Sequence, residues 1–276
     1  MGACTSELQS KKEIWMLLEF CETGDLKNFL GNNLEVLRYT FGQDPTSEGL
    51  SSRLLIRWAF DIAKGMEYLS SKRIMHGDLA ARNILLSNGG GDKNHHLIGK
   101  ISDFGLSKNL SRSNYYKKKD RELVPWKWMA FEFLDTERFT MKSDVWSYGV
   151  VLWEIFSLGS TPYGGQTYDE VYMKLKEGYR LPCPDDVQQI SSWPAATLYK
   201  ELSEKCFTIL PQHRATFSDL VKIVESKLYI QEAQDYDSLT QKYLERSMLL
   251  LNPQTRARLS NSASAQDFSR SVSTTD

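Results

Sequence analysis

The stretch from Asp144 to Leu158 constrains this chain more than any other, because it is apolar nearly all the way round a helix. Only Ser147, Glu154 and Ser157 interrupt the run from Val145 onward. A bilayer span takes about 20 apolar residues, which this run does not supply. A helix with no wet face must be enclosed by protein on every side, so the pattern predicts the central helix of a bundle. Other segments have the right shape to enclose it. Leu55, Trp58, Ala59, Ile62, Met66 and Leu69 follow helical spacing between Leu54 and Leu69. Leu198, Leu202, Cys206 and Ile209 give one further helical face. Phe217, Leu220, Val221, Val224 and Leu228 give another, opened by Thr216 and Asp219 at capping-box spacing. The C-terminal half is expected to be mainly helical.

Strand signals are fewer. Ile14 to Phe20 is a short apolar, partly aromatic run that reads as a buried strand, ending at the polar turn Glu22-Thr23-Gly24-Asp25 before a short helix. Asn32 to Ser52 reads as an insert. Ile84-Leu85-Leu86 and Leu97 to Ile101 read as two strands joined across Gly89-Gly90-Gly91-Asp92, which would bring Asn83 close to Asp103. After Pro253 the chain turns rich in Ser, Thr, Asn and Arg and too poor in apolar groups to repay the entropy of ordering, so a disordered tail is expected there. The fold class expected from these elements is α+β.

A net charge of −1 over 276 residues offers no global field for a polyanion, so no nucleic-acid partner is expected. Cys4, Cys21, Cys183 and Cys206 are scattered, with no C-x-x-C pair, and read as reduced thiols rather than a zinc site or disulfide frame. The opening Met1-Gly2-Ala3-Cys4-Thr5-Ser6 formally fits a myristoylation pattern.

The candidate chemistry lies in His76-Gly77-Asp78-Leu79-Ala80-Ala81-Arg82-Asn83 and, further on, Asp103-Phe104-Gly105. Moving a phosphoryl group to a hydroxyl requires cations against phosphate charge and a carboxylate that orients the attacking oxygen. Asp78 suits the second task, and Asn83 with Asp103 offers the hard oxygen ligands that magnesium prefers. Any one of these residues alone would read as a turn carboxylate or a cap. His76 has no second His or Cys at ligand spacing and reads as a hydrogen-bonded structural residue, and His95-His96 as a solvated pair.

From Ile14 to about Tyr229 the chain resembles protein tyrosine kinases, especially the receptor kinases for vascular endothelial, platelet-derived and fibroblast growth factors. The resemblance is carried by Leu18-Glu19-Phe20-Cys21, by His76 to Asn83 with Ala80-Ala81-Arg82, and by Asp103-Phe104-Gly105-Leu106. Pro125-Trp126-Lys127-Trp128-Met129-Ala130 and Ser143-Asp144-Val145-Trp146-Ser147-Tyr148-Gly149 carry the rest. It implies a protein-kinase fold of the α+β class, mainly the α-helical C-terminal lobe with a remnant of the N-lobe sheet. The implied organisation is 1–21 as remnant and hinge, 22–232 as the C-lobe, and 233–276 as a tail.

By the same resemblance Asp78 is the base, Arg82 helps place phosphate and substrate, and Pro125 packs against the substrate ring. ATP and Mg2+ are the implied cofactors, with Asn83 and Asp103 on the metal and Phe104 and Gly105 completing its motif. Adenine would meet backbone groups of Glu19 and Cys21, the gatekeeper Leu18 and the floor residue Leu85. Glu132 and Arg214 would tie the activation segment to the late helices, and Asp144 would brace the catalytic loop. Tyr115 and Tyr116 are the expected phosphorylation sites. The implied partners are tyrosine-bearing protein substrates, phosphotyrosine-binding signalling proteins and, in a full-length receptor, a second copy. The location implied for such a parent is the cytoplasmic face of the plasma membrane. The family also carries a segment like Gly2-Ala3-Cys4-Thr5 just before the hinge strand, which makes the lipidation pattern an accident.

Departures temper these expectations. No G-x-G-x-x-G loop and no V-A-I-K-like strand occurs in the 276 residues, so the chain alone is expected to be inactive or weak. Its unpartnered strand, with Ile14, Met16 and Leu18, is expected to favour aggregation. Gly77 replaces an arginine that would pair with a phosphorylated loop, so restoring it is expected to strengthen activation. Phe131 and Trp126 replace a proline and a small apolar residue beside the peptide-docking surface. The rival reading is a non-catalytic, pseudokinase-like or truncated binding module that engages partners through Tyr229, Tyr236 or Tyr243.

Overall fold

A computed structural model describes residues 2–4, 15–41, 52–88, 97–109, 116–117, 124–185 and 195–229. The chain divides into two units, Met1–Leu228 and Tyr229–Asp276, and of the second only Tyr229 is described. The expected tail, Tyr115, Tyr236, Tyr243 and the His95-His96 loop lie outside the described residues.

Among the described residues the fold is α+β and mostly helical. The helices are α1 (Leu26–Asn32), α2 (Leu34–Phe41), α3 (Ser52–Ser71), α4 (Phe131–Thr136), α5 (Met141–Phe156), α6 (Tyr168–Lys176), α7 (Ala195–Cys206) and a closing helix over 217–229. Eight short strands pair two by two, all antiparallel. β1 (Gly2–Cys4) pairs β2 (Trp15–Leu17), and β3 (Ile74–Met75) pairs β6 (Lys108–Asn109). β4 (Ile84–Asn88) pairs β5 (Leu97–Ile101), and β7 (Tyr116–Lys117) pairs β8 (Arg138–Phe139).

The all-apolar segment is α5, and it sits where its pattern demands, with every residue from Ser143 to Phe156 buried except Trp153. Thr140 and Ser143 form its reciprocal capping box, which sets its start. One core gathers Val145, Tyr148, Val151, Leu152 and Ile155 of α5 with Leu55, Trp58, Ile62 and Met66 of α3, and with Leu198, Leu202 and Cys206 of α7. Phe217, Leu220, Val221, Val224 and Leu228 of the closing helix complete it. There Thr216 N donates to Asp219 Oδ2 at 3.0 Å, and Asp219 N returns a bond to Thr216 Oγ1 at 3.2 Å. α5 and α7 come unusually close at Gly149, where a Cβ would stand 2.8 Å from Cys206 Cβ and 2.8 Å from Phe207 Cε1. Cys21, Cys183 and Cys206 are free thiols, as their spacing implied.

Three expectations need correction. The segment read as an insert carries α2 over Leu34–Phe41, whose Leu37 is in the core; the rest, 42–51, is outside the described residues. The run read as a buried strand is a strand only over Trp15–Leu17, and Leu17, Leu18 and Phe20 are exposed by 65%, 69% and 87%. These three lack a covering layer among the described residues, as expected of a strand without the rest of a small lobe. Ile209, placed on the same helical face as Cys206, lies beyond the end of α7.

Candidate active site

The polar residues singled out in the sequence converge where α5 meets the loop between β3 and β4. Asp144, on the first turn of α5, accepts from His76 N at 2.8 Å and from Gly77 N at 2.9 Å. Burial pushes its carboxyl above the ordinary range, against the lowering pull of those two amides. The fully buried His76 ring accepts from Asp78 N at Nδ1 (3.2 Å), which leaves Nε2 as the nitrogen facing Ser102 O at 3.0 Å. Phe104 packs against that ring at 5.3 Å between centroids. Both ring nitrogens of His76 are thus engaged within the described residues.

Asp78 is held from two sides. Its Oδ1 takes Arg82 Nη2 at 2.5 Å, and its Oδ2 takes Asn83 Nδ2 at 3.0 Å. The same Asn83 amide donates to Asp78 O at 2.7 Å, so its oxygen carries none of these bonds. A short 3-10 turn, Ala81–Asn83, generates this clustering by folding Arg82 and Asn83 back over Asp78. Asp103 follows closely: Ser102 N and Ser102 Oγ both donate to Asn83 O at 2.9 Å. Its backbone is left-handed at φ 59°, which a short acidic side chain tolerates when it bonds locally, and its Oδ1 accepts from Gly105 N at 3.1 Å. The carboxylate is exposed, unlike Asn83.

A magnesium ion would find one exposed carboxylate and one amide oxygen here. No group of three or more His, Cys, Asp or Glu capable of holding a metal occurs among the described residues. That donor set fits an ion which binds through one or two protein oxygens and completes its octahedron with water and phosphate.

Glu19 and Cys21 lie on the segment between β2 and α1. The Glu19 carboxylate takes Lys100 and Ser87 Oγ, so that segment is tied to the β4–β5 hairpin. Lys100 pulls the Glu19 carboxyl below its ordinary range. Gly24 N donates to Cys21 O at 3.2 Å, and Leu86 N donates to Gly24 O at 2.8 Å, which seats half-buried Leu85 beside the turn. Leu18 stands at the same edge, exposed.

Glu132 and Arg214 form a two-pronged pair at 2.9 and 2.8 Å, with Arg214 fully buried. Ser143 Oγ donates to Glu132 Oε1 at 2.9 Å, and Arg214 also donates to the carbonyls of Lys142 and Thr208. Satisfying both ions this completely is what makes burying them tolerable. Tyr116 lies in β7; its side chain is not described. A separate cavity of about 740 Å³, lined by Tyr68, Met141, Lys142, Val145 and Phe217, contains none of these acids.

Two residues carry weight here that the sequence did not single out. Glu154 Oε2, on α5, accepts from Ala81 N at 2.9 Å and from Trp128 Nε1 at 2.8 Å. The Trp128 ring in turn carries the Arg82 guanidinium at 4.5 Å from its centroid. The signal available was a lone acid inside an otherwise apolar helix.

Comparison with known proteins agrees with this arrangement. Residues 1–224 match the family described as protein tyrosine and serine/threonine kinase. The chain is 34% identical over 273 residues to fibroblast growth factor receptor 1 of Xenopus laevis, across 98% of this chain and 31% of that protein. It is 34% identical over 245 residues to the fibroblast growth factor receptor of Ciona intestinalis, across 87% and 30%. It is 40% identical over 203 residues to platelet-derived growth factor receptor alpha of Homo sapiens, across 73% and 17%. The chain thus spans less than a third of the length of these relatives. No helix among the described residues is long and apolar enough to cross a membrane.

Proposed function

Because this chain belongs to the protein tyrosine kinase family, related to the fibroblast and platelet-derived growth factor receptors, we propose that it transfers the γ-phosphoryl group of ATP to tyrosine hydroxyls as part of a receptor-type kinase. The observation that carries the reading is the closed set Asp78–Arg82–Asn83 with Asp103 joined to it through Ser102. Asp78 orients the tyrosine hydroxyl and accepts its proton, its carboxylate aimed by Arg82 on one oxygen and Asn83 on the other. Asn83 and Asp103 would hold magnesium, which would supply positive charge against the phosphate oxygens. Arg82 adds a fixed cation near the phosphate. Leu18 and Leu85 give adenine its apolar contacts, and the backbone of Glu19 and Cys21 its polar ones.

In this reading 1–21 is the hinge and a remnant of the small lobe, 22–232 the C-lobe, and 233–276 the tail. His76, Phe104, Gly105 and Asp144 support the catalytic loop, and Glu132 with Arg214 anchors the activation segment. Tyr115 and Tyr116 are phosphorylated in that segment. Phosphotyrosine-binding signalling proteins are the downstream partners, and the parent receptor acts as a dimer at the cytoplasmic face of the plasma membrane.

A second reading, a binding module without transfer, is favoured by the exposure of Leu17, Leu18 and Phe20, which leaves the adenine edge without an apolar cover. Two measurements separate the readings. Magnesium with ATP should raise the melting temperature of the chain, and Asp103→Asn should remove the rise. Any transfer to a tyrosine peptide should fall about 10²–10⁴-fold in Asp78→Asn. No magnesium-dependent ATP stabilisation, together with no transfer, would leave only the binding module.

A further inference from the structure

We propose that Glu154 is a positioning residue that acts on Asp78 through Trp128 and Arg82; the proposal rests on the reading that Asp78 meets the substrate hydroxyl. Glu154 is fully buried, and its Oε1 has no hydrogen-bond partner among the described residues. A buried carboxylate with half its accepting capacity idle is costly, and nearby apolar residues of α5 show that the helix needs no polar group to pack. What the residue achieves is done by its other oxygen.

Oε2 receives the Ala81 N–H and the Trp128 indole N–H together. Ala81 immediately precedes Arg82, so the first bond fixes the backbone root of that arginine. The second fixes the plane of the ring on which the arginine's head lies, 4.5 Å from the centroid. Ser147 Oγ, also on α5, donates to Trp128 O at 2.7 Å, so the backbone that carries the ring is held to the same helix. Root and head of Arg82 are thereby referred to one oxygen atom. Arg82 then reaches Asp78 Oδ1 at 2.5 Å. A long, partly exposed side chain would otherwise sample many rotamers; here its choices are removed before substrate arrives.

The test uses the full chain, labelled at arginine, with two readouts. The first is the ring-current displacement of the Arg82 δ-methylene signals by Trp128. The second is kcat against KM for ATP with a tyrosine peptide. In Glu154→Leu the displacement should fall by more than half, and kcat should drop about 10–100-fold while KM for ATP stays within about twofold. Glu154→Gln keeps an acceptor and should retain most of both. In an Arg82→Ala background, Glu154→Leu should lower kcat no further. Trp128→Phe leaves an aromatic face without the N–H and changes only a half-buried ring, so it carries the test if Glu154→Leu does not fold; because a phenyl ring shifts the signals less than an indole in any pose, its readout is kcat, which should fall about 10–100-fold with KM for ATP within about twofold.

An unchanged Arg82 displacement in Glu154→Leu, or an unchanged kcat in Trp128→Phe, overturns the proposal. So does an equal loss of kcat from Glu154→Leu with and without Arg82, which would mark a purely structural residue. If the chain transfers no phosphate at all, the reading of Asp78 fails, while the resonance comparison still decides whether Glu154 places Arg82.

Discussion

At Gly77 the backbone is left-handed, φ 79°, and a Cβ there would stand 3.1 Å from Leu106 O. Any L-residue at this position costs about 1–2 kcal/mol in backbone conformation before its side chain does anything. Restoring an arginine is therefore not the simple gain that the motif comparison suggested. Gly77→Ala should lower urea-unfolding stability by about 1 kcal/mol, and unchanged stability would contradict the geometry.

Glu154 supplies a pH signature. Burial raises its carboxyl above the ordinary 4.5. Between that value and the folded one, the folded chain keeps a proton that the unfolded chain has released. Its contribution to stability is thus complete below the ordinary value and is lost as pH rises through the folded one. Urea midpoints from pH 4 to 7 should show the native chain losing ground to Glu154→Gln, which does not titrate; a gap moving the other way would contradict the assignment. Asp78 and Asn83 were legible because they share one short motif, and Asp103 because it opens another, Asp103-Phe104-Gly105. Glu154 was not, because its partners Ala81 and Trp128 lie 73 and 26 positions away.

Among the elements, α5 was the most legible, since only enclosure on all sides satisfies an all-apolar helix. Its close approach to α7 was not, because a glycine in a helix reads as a weakness until its neighbour is known. Gly149→Ala would press a methyl to 2.8 Å from Cys206 Cβ and from Phe207 Cε1. Overpacking of that kind costs about 1–3 kcal/mol, against the stabilisation that alanine ordinarily brings to a helix. Thermal unfolding should show a lowered Tm; a raised one would mean that the two helices part without penalty. The β4–β5 hairpin was read correctly from its two apolar runs. α2 was missed because, among its described side chains, only Leu37 is buried in the shared core, with Leu34 packed against it, too little for periodicity to register.

Across the whole molecule, a well-filled core coexists with a bare edge. Leu17, Leu18 and Phe20 present contiguous apolar surface at the end of a two-stranded sheet. Such an edge invites self-association. Replacing Leu17 and Phe20 with Ser should raise the concentration at which light scattering begins and leave the urea midpoint unchanged; a lowered midpoint would show that these residues support the fold. The missing small-lobe motifs had already led to the expectation of an uncovered strand here, and the exposure of Leu18 agrees with it, while the pairing of β2 with β1 was not foreseen. The amides of His76, Gly77 and Ala81 all end on carboxylates of the same helix, α5, at the centre of the core. Surface loops usually open locally at small free energy, long before the molecule unfolds. These three amides are tied instead to the core: their hydrogens should exchange with solvent about as slowly as those of α5, and exchange at the rate of an ordinary surface loop would contradict the tie.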